Sequence, residues 1–167
     1  MGGGSGGGLP SDMIRRLEES AKQKLKEGTG DISRHVFISF AHEDLIEVNL
    51  LRGQAKNEKS DLQFDDYSVK EPFDSANAEY IRGQIRERID KTSVTVVYLS
   101  DNSAKSRWVN WEIEESLKRG KGVIGLYKGD TLPTALPMAF VESGCKSVKW
   151  THDGLMRAIE DASKKRE

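Results

Sequence analysis

Val94-Thr95-Val96-Val97-Tyr98-Leu99, a polar connection over residues 100–105, then Ser106-Arg107-Trp108-Val109-Asn110-Trp111-Glu112-Ile113-Glu114-Glu115-Ser116: this stretch decides the fold. Its first run is continuously apolar rather than alternating, the pattern of a strand buried on both faces. Its second part opens on Ser106, whose hydroxyl suits a helix N-cap. Trp108 and Glu112 are four residues apart and therefore share one helical face. An aromatic plane beside a carboxylate, where a strand gives way to a helix, suits a ring-bearing, partly cationic ligand. It equally suits packing the helix onto the sheet.

Outward from this stretch, apolar runs and helical patterns alternate. Residues 35–40 (His-Val-Phe-Ile-Ser-Phe) read as a strand, and 43–56 as a helix carrying Leu45, Ile46, Val48, Leu50 and Leu51. Residues 62–64 read as a short strand, followed by a polar loop over 65–74 that contains Pro72. Tyr80, Ile81, Ile85 and Ile89 recur at helical spacing across 76–90. After the helix at 108–119, stopped by Gly120, come a continuous strand at 122–127 and a loop at 128–144 with a helical turn near Ala139. A last strand at 147–150 and a helix at 152–164, with Leu155, Met156 and Ile159 on one side, close the pattern. Five strands separated by helices predict an α/β fold, a parallel sheet covered on both faces through right-handed crossovers. The expected strand order is the flavodoxin-like, doubly wound 2-1-3-4-5, with the short second strand at an edge. Ligands of such sheets sit beyond the carboxyl ends of the strands flanking the switch point. Here those ends are residues 40–44 and 100–107, with 65–74 arching nearby.

Residues 1–10, MGGGSGGGLP, read as a flexible Gly/Ser segment. Residues 11–27 read as a helix, capped by Ser11 and stopped by Gly28-Thr29-Gly30, with a thin apolar stripe of Ile14, Leu17, Ala21 and Leu25. The expected division is a segment at 1–10, an N-terminal helix at 11–30 and one main domain at 31–167. Charge is nearly balanced, with 26 Lys+Arg against 27 Asp+Glu, so no basic excess predicts a nucleic-acid partner. No run reaches the length of a membrane span, so no membrane partner is expected. The one cysteine, Cys145, allows no intramolecular disulfide; with no signal peptide in view, this fits a cytoplasmic location. No Gly-rich dinucleotide fingerprint follows a strand, which argues against a hydride-transferring Rossmann enzyme. No metal site is expected.

Three stretches in order resemble the boxes of TIR domains. Val36-Phe37-Ile38-Ser39-Phe40 followed by Glu43-Asp44 resembles the first box. Ile81, Ile85, Ile89 and Ser93-Val94 resemble the second helix running into its strand. Ser106, Trp108, Val109, Glu112 and Ile113 fill the fixed positions of the third region. The resemblance spans residues 33–150, and residues 64–75 (FDDYSVKEPFDS) with Trp108-Val109-Asn110-Trp111-Glu112-Ile113 are most similar to the bacterial subfamily that includes Thoeris anti-phage proteins. It implies cleavage of the nicotinamide–ribose bond of NAD⁺, with NAD⁺ as substrate and no separate cofactor. The product is then a linear, cyclic or base-exchanged ADP-ribose that acts as a signal, or the cleavage serves to deplete NAD⁺, in either case in anti-phage defence. Nicotinamide leaves as a neutral molecule, so a carboxylate that stabilises the oxocarbenium-like ribose suffices. The resemblance assigns that role to Glu112, which otherwise reads as a solvated charge on an acidic helix.

The same resemblance places Phe40, Ala41 and His42 on the loop that touches the nucleotide, His42 either contacting ribose or phosphate or lying on the surface. Asp65 and Tyr67 fall on a loop that gates the site or forms assembly contacts. Ser100 and Asn102 either bond ribose or phosphate or close a turn. Trp108 lies beside the ligand or anchors its helix, and Trp111 packs. Asp44 is expected to cap the helix that follows it. Arg52, Lys105 and Arg107 are either phosphate contacts or solvated charges. Implied partners are NAD⁺, further copies of the chain and an effector protein reached through the product. The competing reading is a non-enzymatic module acting through homotypic contacts. A phosphoacceptor receiver domain would need an aspartate ending the third strand, where the chain has Leu99-Ser100.

Overall fold

The apolar runs lie side by side in a single parallel sheet. In the computed structural model, which describes residues 11–30, 35–58, 62–69 and 71–164, β1 (His35–Ser39), β2 (Gln63–Asp65), β3 (Val94–Tyr98), β4 (Gly122–Tyr127) and β5 (Lys146–Lys149) are ordered β2-β1-β3-β4-β5. Every neighbouring pair is parallel, with Ser39 opposite Val97 and Val94 opposite Gly122. The flavodoxin-like order and the edge position of the short second strand are as the alternation predicted.

β3 is buried at every residue because its successive side chains feed opposite faces. Val94, Val96 and Tyr98 pack with α2 (Leu45–Asn57) and α7 (His152–Lys164) through Val48, Leu51, Leu155 and Ile159. Val97 and the following Leu99 pack with α5 (Arg107–Lys118) and α6 (Met138–Glu142) through Val109, Ile113 and Phe140. On the same face Phe37 of β1 meets α3 (Ala78–Asp90) and Trp108. Each fully buried aliphatic or aromatic side chain contributes about 1.5–3 kcal/mol, so α5 is held by its sheet-facing side whatever its other side does. Gly125 of β4 is part of this packing: a Cβ there would lie 2.6 Å from both Leu99 Cδ1 and Phe140 Cζ.

Three local expectations change. Residues 100–105 form a short helix, α4 (Asp101–Lys105), not a loop, because Ser100 and Ser103 form a reciprocal capping box at its start. The helix after β1 is preceded by a 3₁₀ turn over His42–Asp44, and Asp44 makes no side-chain cap. Ser106, by contrast, caps α5 as expected, accepting from Val109 N at 3.1 Å.

The chain divides into two compact units, residues 1–32 and 33–167. In the first, α1 (Ser11–Gly30) runs through the glycines read as its stop; glycine disfavours a helix interior by about 1 kcal/mol but does not forbid it. Met13, Ile14 and Leu17 are exposed on it. The expected segment at 1–10, and the side chains of Ala21 and Leu25, lie outside the described residues.

Candidate active site

α5 divides its side chains between two tasks. Val109, Ile113 and Ser116 are buried in the direction of the sheet, while Trp108 and Glu112, one turn apart, line a cleft of about 280 Å³. Three chain segments meet there. Phe40, His42 and Glu43 come from the connection after β1, and Tyr67, Val69, Glu71 and Pro72 from the loop after β2. Ser106, Trp108 and Glu112 come from the start of α5. The cleft therefore opens at the carboxyl ends of β1 and β3, the switch point of the sheet.

Glu112 is only 3 % exposed. Its Oε1 accepts a 2.6 Å hydrogen bond from Ser39 Oγ, itself fully buried. Burial pushes the carboxyl up from its ordinary 4.5 to about 8, against the downward pull of the Ser39 hydrogen bond. One neutral donor does not replace the hydration that an ionised carboxylate loses in such a place.

Trp108 anchors the roof. Its Nε1 donates to the Glu71 carbonyl at 2.8 Å, and its ring meets Phe73 edge-on at 4.9 Å. The part of the loop around Phe73 and Asp74 is clamped from both sides. The Arg82 guanidinium lies 4.4 Å from the Phe73 ring centroid and donates to the Phe73 carbonyl. Arg107 lies 4.6 Å from the same ring and pairs with Asp74 at 2.6 Å. Trp111 packs edge-on against Trp108 at 6.0 Å, under Arg86.

Of the residues singled out in the sequence, the cleft gathers Phe40, His42, Tyr67, Trp108 and Glu112. Four others hold different partners. Ala41 is buried, and its carbonyl accepts from Asp44 N. Asp65 lies 3.3 Å from His35 Nε2 across the β1–β2 edge. Ser100 Oγ and Asn102 Nδ2 donate to the two oxygens of Asp44, at 2.5 and 2.9 Å. Asp44 is 5 % exposed, and a buried carboxylate must find donors. These two residues supply them, which explains why Asp44 does not cap its helix. Arg52 pairs with Asp66, and neither Arg52, Lys105 nor Arg107 lines the cleft. The sequence reading missed Glu43, Val69, Glu71, Pro72 and Ser106 as lining and Ser39 as the partner of Glu112. The one signal for Ser39 was a hydroxyl inside an otherwise apolar strand.

The charged lining is thus Glu43, Glu71 and Glu112 with the imidazole of His42, and no Lys or Arg among the described residues. That favours a cationic ring rather than a polyanion. A larger groove, about 650 Å³, lies away from Glu112 beside β4, β5 and α7; it offers no paired titratable groups over an aromatic wall, so the smaller cleft is the better site for chemistry. Among the described residues no cluster of His, Cys, Asp or Glu is grouped to hold a metal, and no helix is long and apolar enough to cross a membrane.

A family model described as Thoeris protein ThsB, TIR-like domain, matches residues 37–131. Over 100 residues the chain is 29 % identical to the Bacillus cereus (strain MSX-D12) protein named "Putative cyclic ADP-D-ribose synthase ThsB1", covering 58 % of this chain and 52 % of that protein. Over 144 residues it is 24 % identical to the Cytobacillus dafuensis protein named "Putative cyclic ADP-D-ribose synthase TIR2", covering 85 % and 36 %. The chain thus spans about half, or less, of the length of these curated relatives. The solved TIR domain of the Toll-related receptor TRR-2 from Hydra magnipapillata superposes with a TM-score of 0.49 at 16 % identity, over 75 % of this chain and 91 % of that one. The family match covers more than half of the 167 residues and takes in the end of β1, all of β2, β3 and β4 and the whole of α5, and on that match the protein belongs to the Thoeris ThsB TIR-like domain family.

Proposed function

We propose that the protein cleaves the bond between nicotinamide and ribose in NAD⁺ and releases an ADP-ribose-type product, cyclic by analogy with the names of its relatives, as a signal in anti-phage defence. The observation that carries this reading is Glu112, buried beside Trp108 in an acidic, aromatic cleft whose lining has no Lys or Arg among the described residues. A nearby positive charge favours the ionised form of a carboxyl group. The pyridinium of NAD⁺ supplies that charge, so binding drives the proton off Glu112. As the C1–N bond breaks, its electron pair leaves with nicotinamide and the positive charge passes to the ribose. The ionised Glu112 stabilises that oxocarbenium-like centre. Capture by water gives ADP-ribose and a proton; capture by a nucleophilic atom of the same molecule gives a cyclic product and a proton.

At about 280 Å³ the cleft sits at the lower end of the roughly 300–1,000 Å³ of ligand pockets. It suits the nicotinamide riboside end, with the pyrophosphate outside. Self-association and a cytoplasmic location, where the substrate is plentiful, belong to the same proposal. The test is nicotinamide release from NAD⁺ across a range of protein concentrations. Wild type is expected to turn over, more than proportionally as concentration rises, and Glu112→Gln to lose at least a hundredfold. Equal turnover by the two proteins would refute the assignment of Glu112, and silence from folded, concentrated wild type would refute the enzyme.

A further inference from the structure

Glu112 is fastened at two points by buried hydroxyls, one on the sheet and one on its own helix. Ser39 Oγ donates to its carboxylate at 2.6 Å. One turn on, Ser116 Oγ donates to the Glu112 carbonyl at 2.7 Å and lies 2.7 Å from Thr95 Oγ1. A hydroxyl has one proton to give. Ser116 spends its own on Glu112, so Thr95 is the donor to Ser116. The chain Thr95→Ser116→Glu112 C=O fixes the height of α5 over β3. Ser39, on the neighbouring strand, addresses the carboxyl group alone.

The strand pattern explains how Ser39 gets there. Phe37 and Ser39 share a face of β1, and Phe37 packs against Trp108 and α3 on that face. Ser39 therefore points at the same side of α5 two residues further along, at the strand end that meets the cleft. An apolar residue would pack there; a hydroxyl with zero exposure needs a partner. Among the described residues its side chain has Glu112 and no other.

We infer that Ser39 is a positioning residue of the site, whose hydroxyl aims the Glu112 carboxyl into the cleft and favours its ionised form. The inference rests on Glu112 being the reacting carboxylate. A donor that stays bonded through ionisation stabilises the charged form more than the neutral one. The other titratable groups of the cleft are His42 and Glu43 from the β1 side and Tyr67 and Glu71 from the loop. On α5, Glu115 is occupied by Arg86 and Arg119, each at 3.1 Å. None of these is bonded to the Glu112 carboxyl, so Ser39 is the local means of tuning it.

The experiment follows the Glu112 carboxyl directly, by ¹³C NMR of full-length protein with labelled glutamate, from pH 5 to 10. Glu112→Gln identifies the resonance. Ser39→Ala is expected to move its midpoint upward by on the order of one pH unit, the worth of one charge-assisted bond. Ser39→Cys, a weaker donor of similar size, is expected to move it less. Thr95→Val, which breaks the other hydroxyl chain, is expected to lower the melting temperature and leave the midpoint where it is. The pH dependence of nicotinamide release should follow the same order. A midpoint unmoved in Ser39→Ala overturns the proposal, as does an equal shift in Thr95→Val. A moved midpoint in a protein that never cleaves NAD⁺ leaves Ser39 in its role and removes the enzymatic reading, so the two failures are separable.

Discussion

Replacing Glu112 by glutamine should make the protein more stable as the pH rises, although it removes the side chain on which the proposed chemistry depends. The carboxyl titrates near 4.5 when the chain is unfolded and near 8 when it is folded, because burial penalises the charge. Between those values the native state holds a proton that the unfolded state has released. Stability therefore falls as pH rises from about 4.5 to about 8 and is level beyond, the reverse of the behaviour of a salt-bridged carboxylate. Each pH unit well inside the window is worth about 1.4 kcal/mol, and with the last unit only partly titrated the loss between pH 5 and pH 8 is about 3–4 kcal/mol. A glutamine of the same shape carries no proton to release, and its amide oxygen still accepts from Ser39. Chemical denaturation of both proteins at pH 5, 6, 7 and 8 measures the effect. Contributions from the three histidines and the surface carboxylates cancel in the difference. The variant should gain about 3–4 kcal/mol on wild type across that range, or roughly 6–16 °C in melting temperature for a chain of this length. Parallel stability curves would show that Glu112 is already ionised in the folded protein, and the argument from its burial would fall.

Catalysis should carry the same signature. If the free enzyme must lose the Glu112 proton before the transition state, kcat/KM for NAD⁺ rises with pH up to about 8; a profile flat from pH 6 to 9 speaks against that requirement. Trp108→Phe keeps an aromatic ring but loses the 2.8 Å bond to the Glu71 carbonyl. It should cost about 1 kcal/mol of stability and admit protease faster within residues 66–77; cleavage at the wild-type rate would mean the roof is held by Arg82 and Arg107 alone. Asp44→Ala strands the donors of Ser100 and Asn102 and should cost about 2–3 kcal/mol by urea denaturation. A loss below half of that would mean both donors rebond to water.

What could be read in the chain, and what could not, divides by sequence distance. The run Val94–Tyr98 announces a strand buried on both faces because that is a property of consecutive residues. The face shared by Trp108 and Glu112 follows from helical spacing, and the switch point from the order of strands. Ser100 and Asn102 read equally as ligand contacts or turn closers, because both stand at the carboxyl end of a strand. Their partner, Asp44, is 56 and 58 residues away, and no local pattern announces it. The same holds for Ser39 and Glu112, 73 residues apart. Helix α4 is a different failure. The Ser100–Ser103 capping box is local, but serines favour turns as readily as caps, so the stretch reads equally as a loop.

The placement of Glu112 makes physical sense only with its neighbours on α5. Near neutral pH an ionisable carboxyl held near 8 costs the fold about 3 kcal/mol relative to the unfolded chain. An isolated helix cannot bear that cost. Val109 and Ile113, flanking Glu112 on the sheet-facing side, are both fully buried, and together contribute about 3–6 kcal/mol. The helix is thus nailed to the sheet by residues adjacent to the one it strains, and the strain cannot relax by letting the helix swing out. Under the proposed function, release comes instead from a cation entering the cleft, which lowers the cost of ionisation where the apolar anchors cannot. A neutral ring offers no such relief, so the burial that destabilises the empty protein is also what would let the cleft discriminate an oxidised, positively charged nicotinamide from its reduced, neutral form.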